Sequence, residues 1–301
     1  MIPAILKTMR PRQWTKNIFI FAALVFDRQL PSPEVFFQTG KITNLTPALM
    51  TLAGFFLFCM LSSTVYVIND IFDVESDRMH PVKRNRPIAS GKLPIPVAIT
   101  FSVILLLVTM LLAFLLSTKF ATIALIYFLV NLAYSLWLKH IPLVDVIVLA
   151  SGFVIRVGAG VSLIDVERFS PWLYVVTSLF ALFIGFGKRR AELSLLAERA
   201  ENHRRVLNGY TIPFLDQLIM IVSSTTIVSY SLYTFSAPNL PDNHSMMLTI
   251  PFVLYGIFRY LYLLQVKNEG GAPEELALHD RPLQATVLMW ALAVLVVFYI
   301  Y

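Results

Sequence analysis

Apolar residues in this chain come in long blocks, not in the alternation of a strand or the one-sided stripe of a surface helix. Nine blocks approach the roughly 20 residues that a helix needs to cross a hydrocarbon core. They cover positions 16 to 30, 45 to 70, 94 to 116, 119 to 138, 142 to 164, 171 to 187, 213 to 235, 245 to 266 and 283 to 301. The first and sixth are short and flanked by polar residues, so the pattern gives the number to about one span. The connections are short and none reads as a separate soluble domain. The expected architecture is therefore all-α: one integral membrane domain over 1 to 301, with about nine transmembrane helices.

Composition agrees with the pattern. Of the 301 residues, 57% are hydrophobic and 14% charged, which excludes an ordinary soluble domain. The single cysteine, Cys59, lies inside an apolar block, so no intrachain disulfide can form. The cations ahead of the first block are not followed by a small-residue cleavage site, and that block is expected to be retained.

Charge then orients the chain. With the N-terminus inside, 18 of the 24 basic residues fall in inner loops or flanks, and four, Arg28, Lys41, Lys119 and Arg168, fall outside. The two that remain, Arg156 and Arg259, lie within blocks. Such a split predicts a multi-pass protein of a bacterial-type inner membrane with a cytoplasmic N-terminus. The polar loops concentrate on the same side, so a site is expected to open to the cytoplasm.

One stretch stands apart: "VINDIFDVESDRMHPVKRNRPIASG", Val67 to Gly91, grows directly out of the second block. On a helix with Asn69 at zero, Asp70 falls at about 100°, Asp73 at about 40° and Asp77 at about 80°, within one quarter of the surface. Glu75 and Arg78 point elsewhere. Carboxylates and a carboxamide converging at a helix end are hard oxygen ligands suited to Mg²⁺ shared with substrate phosphates. A solvated charged terminus is the bland alternative, but acidic groups at the mouth of a span are costly without a function. Lys83, Arg84 and Arg86 follow closely, and Pro81 and Pro87 discourage a continuous helix, so the chain can fold back over a metal-bound polyphosphate. Inner-loop charge bias alone would also place cations there.

"NDIFDVESD" fits the N-D-x-x-D-x-x-x-D motif of the UbiA superfamily of intramembrane prenyltransferases, which this chain resembles over nearly its whole length. Further stretches carry the resemblance: "RPRQWTKN" at 10 to 17, "LAYSLWLKH" at 132 to 140, "SGFVIRVGAG" at 151 to 160, "GKRRAEL" at 187 to 193 and "DRPLQ" at 280 to 284. It implies a helical bundle around a cavity open to the cytoplasm, with Asn69, Asp70, Asp73 and Asp77 holding Mg²⁺ on a diphosphate. Ordinary members carry a second aspartate-rich motif after the sixth span, where this chain reads "GKRRAELSLL". On a helix Lys188, Glu192 and Arg189 fall at about 0°, 40° and 100°, a face that suits phosphate better than a second metal cluster. Within the superfamily the chain is similar to members that use 5-phosphoribosyl 1-diphosphate as donor and a polyprenyl phosphate as acceptor, in lipid-linked sugar synthesis for the cell envelope. A phosphate acceptor is already ionised near neutral pH, so no strong general base is needed.

The resemblance also makes Tyr134 and Lys139 donor or phosphate contacts, and Asp145 a polar member of the same mouth; Lys139 reads equally well as a snorkelling cation. Lys16 could reach a phosphate, while Trp14 reads as an interface anchor. Arg156 lies roughly 21 Å into its block, counted from Pro142 at about 1.5 Å per residue. It must face a cavity, as a substrate contact, or a polar partner on another helix. Arg259, nearer the inner end, reads as snorkelling. Gly152, Gly158 and Gly160 are expected to permit close helix packing. No histidine pair has zinc-ligand spacing, and the basic loops are too short for a nucleic-acid surface. Homo-oligomerisation is left open. Two other readings stand beside the first. A prenyltransferase joining a prenyl diphosphate to an aromatic acceptor conflicts with the missing second acidic motif. A transporter would need broken helices or paired polar groups near the midplane.

Overall fold

The structure is a computed structural model that describes residues 1 to 30, 45 to 80, 82 to 166, 170 to 197, 205 to 238, 240 to 267, 269, 276 and 279 to 299. Among the described residues there are helices and connections but no strand. Eight helical stretches are long and apolar enough to cross a membrane. Over the ninth expected span, 16 to 30, the chain forms a 3-10 helix, Pro11–Phe21, running into a short α-helix, Ala22–Phe26. Lys16 and Asn17 sit within it, and Asn17 is buried among polar partners. Lys41, Arg168, Arg199 and Arg204, used in the charge count, lie outside the described residues.

The chain divides into two compact units. The first comprises Met1–Pro31, Ile42–Lys139 and Ile155–Val166, and the second Ser32–Lys41, His140–Val154 and Glu167–Tyr301.

The first unit holds α1 (Ile2–Met9), the 3-10 helix, α2 (Ala22–Phe26), α3 (Leu45–Phe72), α4 (Val74–Met79), α5 (Ile95–Leu116), α6 (Thr118–Leu136) and the end of α7 (Val144–Val161). At 28 residues α3 is the longest among the described residues, and α1, the 3-10 helix, α5 and α6 pack on it. Phe58, Leu61, Phe120, Tyr127 and Ala159 form the core, where Phe58 meets Phe120 edge-on with centroids 5.8 Å apart. One glycine is required here. A Cβ on Gly160 would run into the Ile20 carbonyl oxygen, whereas one on Gly158 would meet open space. Close packing therefore needs Gly160 and not Gly158.

The second unit holds the start of α7, then α8 (Pro171–Ala197), α9 (Ile212–Ser236), α10 (Ile250–Gln265) and α11 (Arg281–Tyr299). Its core is built from Val146, Phe183, Leu215, Ile219 and Tyr260. Two charged ties brace it. Arg190 Nε donates to Asp216 Oδ1 at 2.6 Å and its Nη1 to the Leu264 carbonyl at 3.1 Å. Arg259 donates to both oxygens of Asp280, at 3.2 and 2.7 Å, so it is ion-paired. Asp280 also accepts the Leu283 N–H at 2.8 Å, the contact of a residue capping α11. The Arg259 guanidinium holds the Asp280 carboxyl below the usual carboxylate range.

Candidate active site

The last turn of α3 carries the acidic motif, and the chain N-terminal to it is moored along the same helix. Ser62, Ser63 and Thr64 keep the α3 surface small and polar, all of them nearly or fully buried. Trp14 Nε1 donates to Ser63 Oγ at 3.0 Å, and Ser63 Oγ lies 2.7 Å from the Cys59 carbonyl and 3.1 Å from the Met9 carbonyl, which share its one proton. Trp14 is thus tied to a helix, not only an interface anchor. Asn17 Nδ2 lies 3.3 Å from Ser62 Oγ and 3.2 Å from Cys59 Sγ. From α7, Arg156 Nε donates to Asn17 Oδ1 at 2.8 Å, its Nη2 donates to Tyr127 Oη at 2.8 Å, and its guanidinium lies over the Tyr127 ring. At 5% exposure Arg156 is enclosed by these groups. Of its two readings, the polar partner on another element is the one seen.

These moorings bring Arg10 to the acidic motif. It stands between α1 and Pro11 with φ 53° and ψ 61°, the left-handed region. Its Nη2 donates to Asp70 Oδ1, and its guanidinium carbon lies 5.1 Å from the centre of the Tyr66 ring. Arg86 Nη1 donates to Asp70 Oδ1 at 3.0 Å and to Asp77 Oδ2 at 2.6 Å. Asp73 turns another way, accepting from Lys139 Nζ at 2.7 Å and from Asn69 Nδ2 at 3.0 Å. The helical projection puts all three carboxylates together. The chain instead leaves the α-helix at Asp73 (φ −89°, ψ 4°) and restarts at Val74, so Asp70 and Asp77 share Arg86 while Asp73 faces Lys139.

Arg86 is held from behind. Pro87 keeps it extended (φ −65°, ψ 146°), and Ile88 and Leu93 are buried against Val67 and Ala98. Gly91, at φ 77°, makes the turn that returns the chain to α5. His80 Nδ1 accepts the backbone N–H groups of Val82 and Lys83 at 3.2 and 3.3 Å, and burial with the nearby Lys83 lowers its pKa. Lys83 itself is exposed on the 3-10 turn Lys83–Asn85.

The donor set of Asp70, Asp73, Asp77 and Asn69 is all hard oxygen, which fits Mg²⁺. Among the described residues, however, no three His, Cys, Asp or Glu side chains are grouped closely enough to hold an ion as they stand. Each carboxylate is engaged by a cation. Asp70 and Asp77 are 2% exposed, whereas the side chains of Arg10 and Arg86 are 28% and 25% exposed, so these cations keep a face outward. Three carboxylates and three cations, Arg10, Arg86 and Lys139, leave the cluster formally neutral.

In the second unit, the basic face expected at 188 to 192 turns partly inward. Arg189 Nε donates to Asp145 Oδ2 at 2.6 Å and its Nη1 to Glu192 Oε2 at 2.5 Å. Tyr210 Oη donates to Asp145 Oδ1 at 2.6 Å and accepts the Leu143 N–H at 2.6 Å, where Leu143 has φ 68°. Arg189 and Asp145 are 1% and 0% exposed. Each is thus paired with the other inside the unit. Through this pair α7 and α8 meet. Burial and the hydrogen bond to Asp145 raise the Tyr210 pKa. Lys188 and Glu192 are half-buried, as are Lys16 and Tyr134 in the first unit. Arg10 and Tyr210 were missed in the sequence. The only signal for Arg10 was its place opening "RPRQW", and Tyr210 gave none.

An α-helical membrane protein with an oxygen-rich, cation-balanced cluster at a helix end is the class these features define. The UbiA prenyltransferase family matches residues 32 to 278, and the chain belongs to that family. It is 33% identical over 300 residues to the decaprenyl-phosphate phosphoribosyltransferase of Mycolicibacterium smegmatis, covering 96% of this chain and 91% of that one. It is 32% identical over 294 residues to the protein of the same name from Mycobacterium tuberculosis, covering 96% and 92%. In fold it is similar to a UbiA homolog from Archaeoglobus fulgidus bound to GPP and Mg²⁺, with a TM-score of 0.70 at 16% identity over 98% of this chain and 99% of that one.

Proposed function

We propose that this protein transfers the 5-phosphoribosyl group of 5-phosphoribosyl 1-diphosphate to a polyprenyl phosphate of the decaprenyl type, releasing pyrophosphate. The observation that carries the reading is the likeness, along almost the whole chain, to relatives named for that activity. The cationic segment "GKRRAEL", in place of a second acidic motif, agrees with a donor and acceptor that both carry phosphate.

In this reading the reaction is Mg²⁺-dependent and takes place within one integral membrane domain of a bacterial inner membrane. The cavity opens to the cytoplasm and the product feeds envelope synthesis. Asp70, Asp73 and Asp77, helped by Asn69, hold the metal. When bound, the metal supplies charge neutralisation for the departing pyrophosphate. The chain's own cations do the rest. Arg86 and Lys139, already beside the carboxylates, and the exposed Lys83 orient the donor phosphates, and Lys16 and Tyr134 add contacts in the same unit. Lys188 binds a further phosphate group, and Arg189 with Asp145 positions the helix that carries it. The bond from C1 of the ribose to the diphosphate oxygen breaks while an acceptor phosphate oxygen forms a bond to C1. The acceptor is ionised at neutral pH, so catalysis consists of positioning and charge stabilisation around an oxocarbenium-like centre.

The test is transfer by the purified protein from labelled 5-phosphoribosyl 1-diphosphate to a polyprenyl phosphate, followed by organic extraction, with and without a chelator. Label in the lipid phase only when Mg²⁺ is present supports the reading. An aqueous-only label across several chain lengths would overturn it.

A further inference from the structure

Arg10 lies outside the acidic motif and its basic neighbours, yet several features of the first unit converge to place it. Its backbone is held in the left-handed region ahead of a proline, a conformation that non-glycine residues rarely adopt. The neighbouring chain is anchored by Ser63 to the Met9 carbonyl, by Trp14 to Ser63, and by the Gln13 N–H to the Arg10 carbonyl at 2.8 Å. Strain at a fully anchored position is characteristic of a side chain aimed for a purpose. The guanidinium is aimed at Asp70, lies against the ring of Tyr66, and keeps more than a quarter of its surface outward.

The carboxylate that it covers is one expected to receive the metal. With Arg86 and Lys139 it brings the cluster to formal neutrality, so three acidic groups can stand at a helix end before any ligand arrives. A cation in that place weakens metal binding by repulsion. The same guanidinium, once released from Asp70, is a fork suited to phosphate oxygens and already near the site.

We infer that Arg10 is a placeholder cation: it occupies Asp70 in the ligand-free protein and exchanges onto the diphosphate when the metal and diphosphate arrive together. This rests on reading the acidic cluster as the seat of a metal-bound diphosphate, but not on which group is transferred. The device makes loading ordered. The metal binds poorly by itself, because it must displace a cation, and binds well with a diphosphate that gives the cation a new partner.

The test uses the full-length protein in detergent, with Mn²⁺ alone and then Mn²⁺ with inorganic pyrophosphate as probes, bound metal being counted by electron paramagnetic resonance. Arg10→Gly is the informative variant, because glycine is at ease at φ 53° and the backbone keeps its course without the guanidinium. Arg10→Lys retains a cation and serves as control. The expected result has opposite signs: Arg10→Gly binds Mn²⁺ alone about tenfold more tightly and pyrophosphate about tenfold more weakly than the native protein. Arg10→Lys should hold Mn²⁺ within about threefold of native. Mn²⁺ binding that is unchanged or weaker in Arg10→Gly, or pyrophosphate binding that is unchanged, would overturn the exchange; a merely structural Arg10 would weaken both together. If these shifts appear in a protein that transfers no phosphoribosyl group, the exchange stands and the proposed function falls.

Discussion

Arg189→Met tests whether the buried pair in the second unit is structural. Arg189 gives one donor to Asp145 and one to Glu192, with side-chain exposures of 1%, 0% and 25% respectively. Methionine keeps the unbranched stem and removes the fork. Glu192 can turn outward at little cost, but Asp145 is left inside with, among the described residues, only the Tyr210 hydroxyl as a donor. Removing one partner of a buried pair costs about 3 to 5 kcal/mol. The lower end applies here, because the tyrosine bond survives, so the expected loss is about 3 kcal/mol. A second substitution, Asp145→Leu, removes the stranded charge and leaves only an unfilled tyrosine hydroxyl. The double variant should recover to within about 1 to 2 kcal/mol of the native protein. Equilibrium unfolding in mixed detergent micelles, with sodium dodecyl sulfate as denaturant, measures both. A loss under about 1 kcal/mol for the single variant, or a double variant no more stable than the single, would refute the argument.

Three further outcomes are expected. Asp73→Asn should lower turnover by about two orders of magnitude, on the order of 3 kcal/mol of barrier, with unfolding unchanged; full activity in a transfer assay would remove Asp73 from the site. Gly160→Ala should cost about 2 kcal/mol or more because its Cβ overlaps the Ile20 carbonyl, whereas Gly158→Ala, facing open space in the same helix, should be neutral or stabilising by up to about 1 kcal/mol; equal effects in unfolding would contradict the packing. The Asp280 carboxyl, held below its ordinary value by Arg259, contributes stability that is complete above the unfolded value of about 3.9 and is lost as pH falls through the folded value. Unfolding of native protein and Asp280→Asn should therefore differ at pH 7 and the gap should narrow as pH falls below about 3.9, and a gap that widens on acidification would exclude the ion pair as its cause.

Hydropathy made most of the fold legible, because a helix in lipid must satisfy its backbone internally and expose apolar side chains. It did not show the form taken at 16 to 30, a 3-10 helix running into a short α-helix, where Asn17 and its hydroxyl and thiol partners on α3 make a polar seam that block averages do not register. Depth along the axis required a cavity or a polar partner for Arg156. It could not name Asn17 and Tyr127, which lie 139 and 29 residues away in sequence. At the acidic end, helical spacing grouped Asp70 with Asp77 but misplaced Asp73, because projection assumes an unbroken helix. For Arg189 the sequence shows charge and period, not that Asp145 waits on the facing helix. Arg10 was hidden for a similar reason: its reach depends on a left-handed backbone angle that an arginine does not advertise.

The most direct test of the account is a comparison of donors on one preparation of the purified protein. Labelled 5-phosphoribosyl 1-diphosphate with a polyprenyl phosphate is set against labelled geranyl diphosphate with an aromatic acceptor, both with Mg²⁺. The account predicts transfer of label to lipid only from the phosphoribosyl donor. Prenyl transfer to the aromatic acceptor, with none from the phosphoribosyl donor, would contradict it.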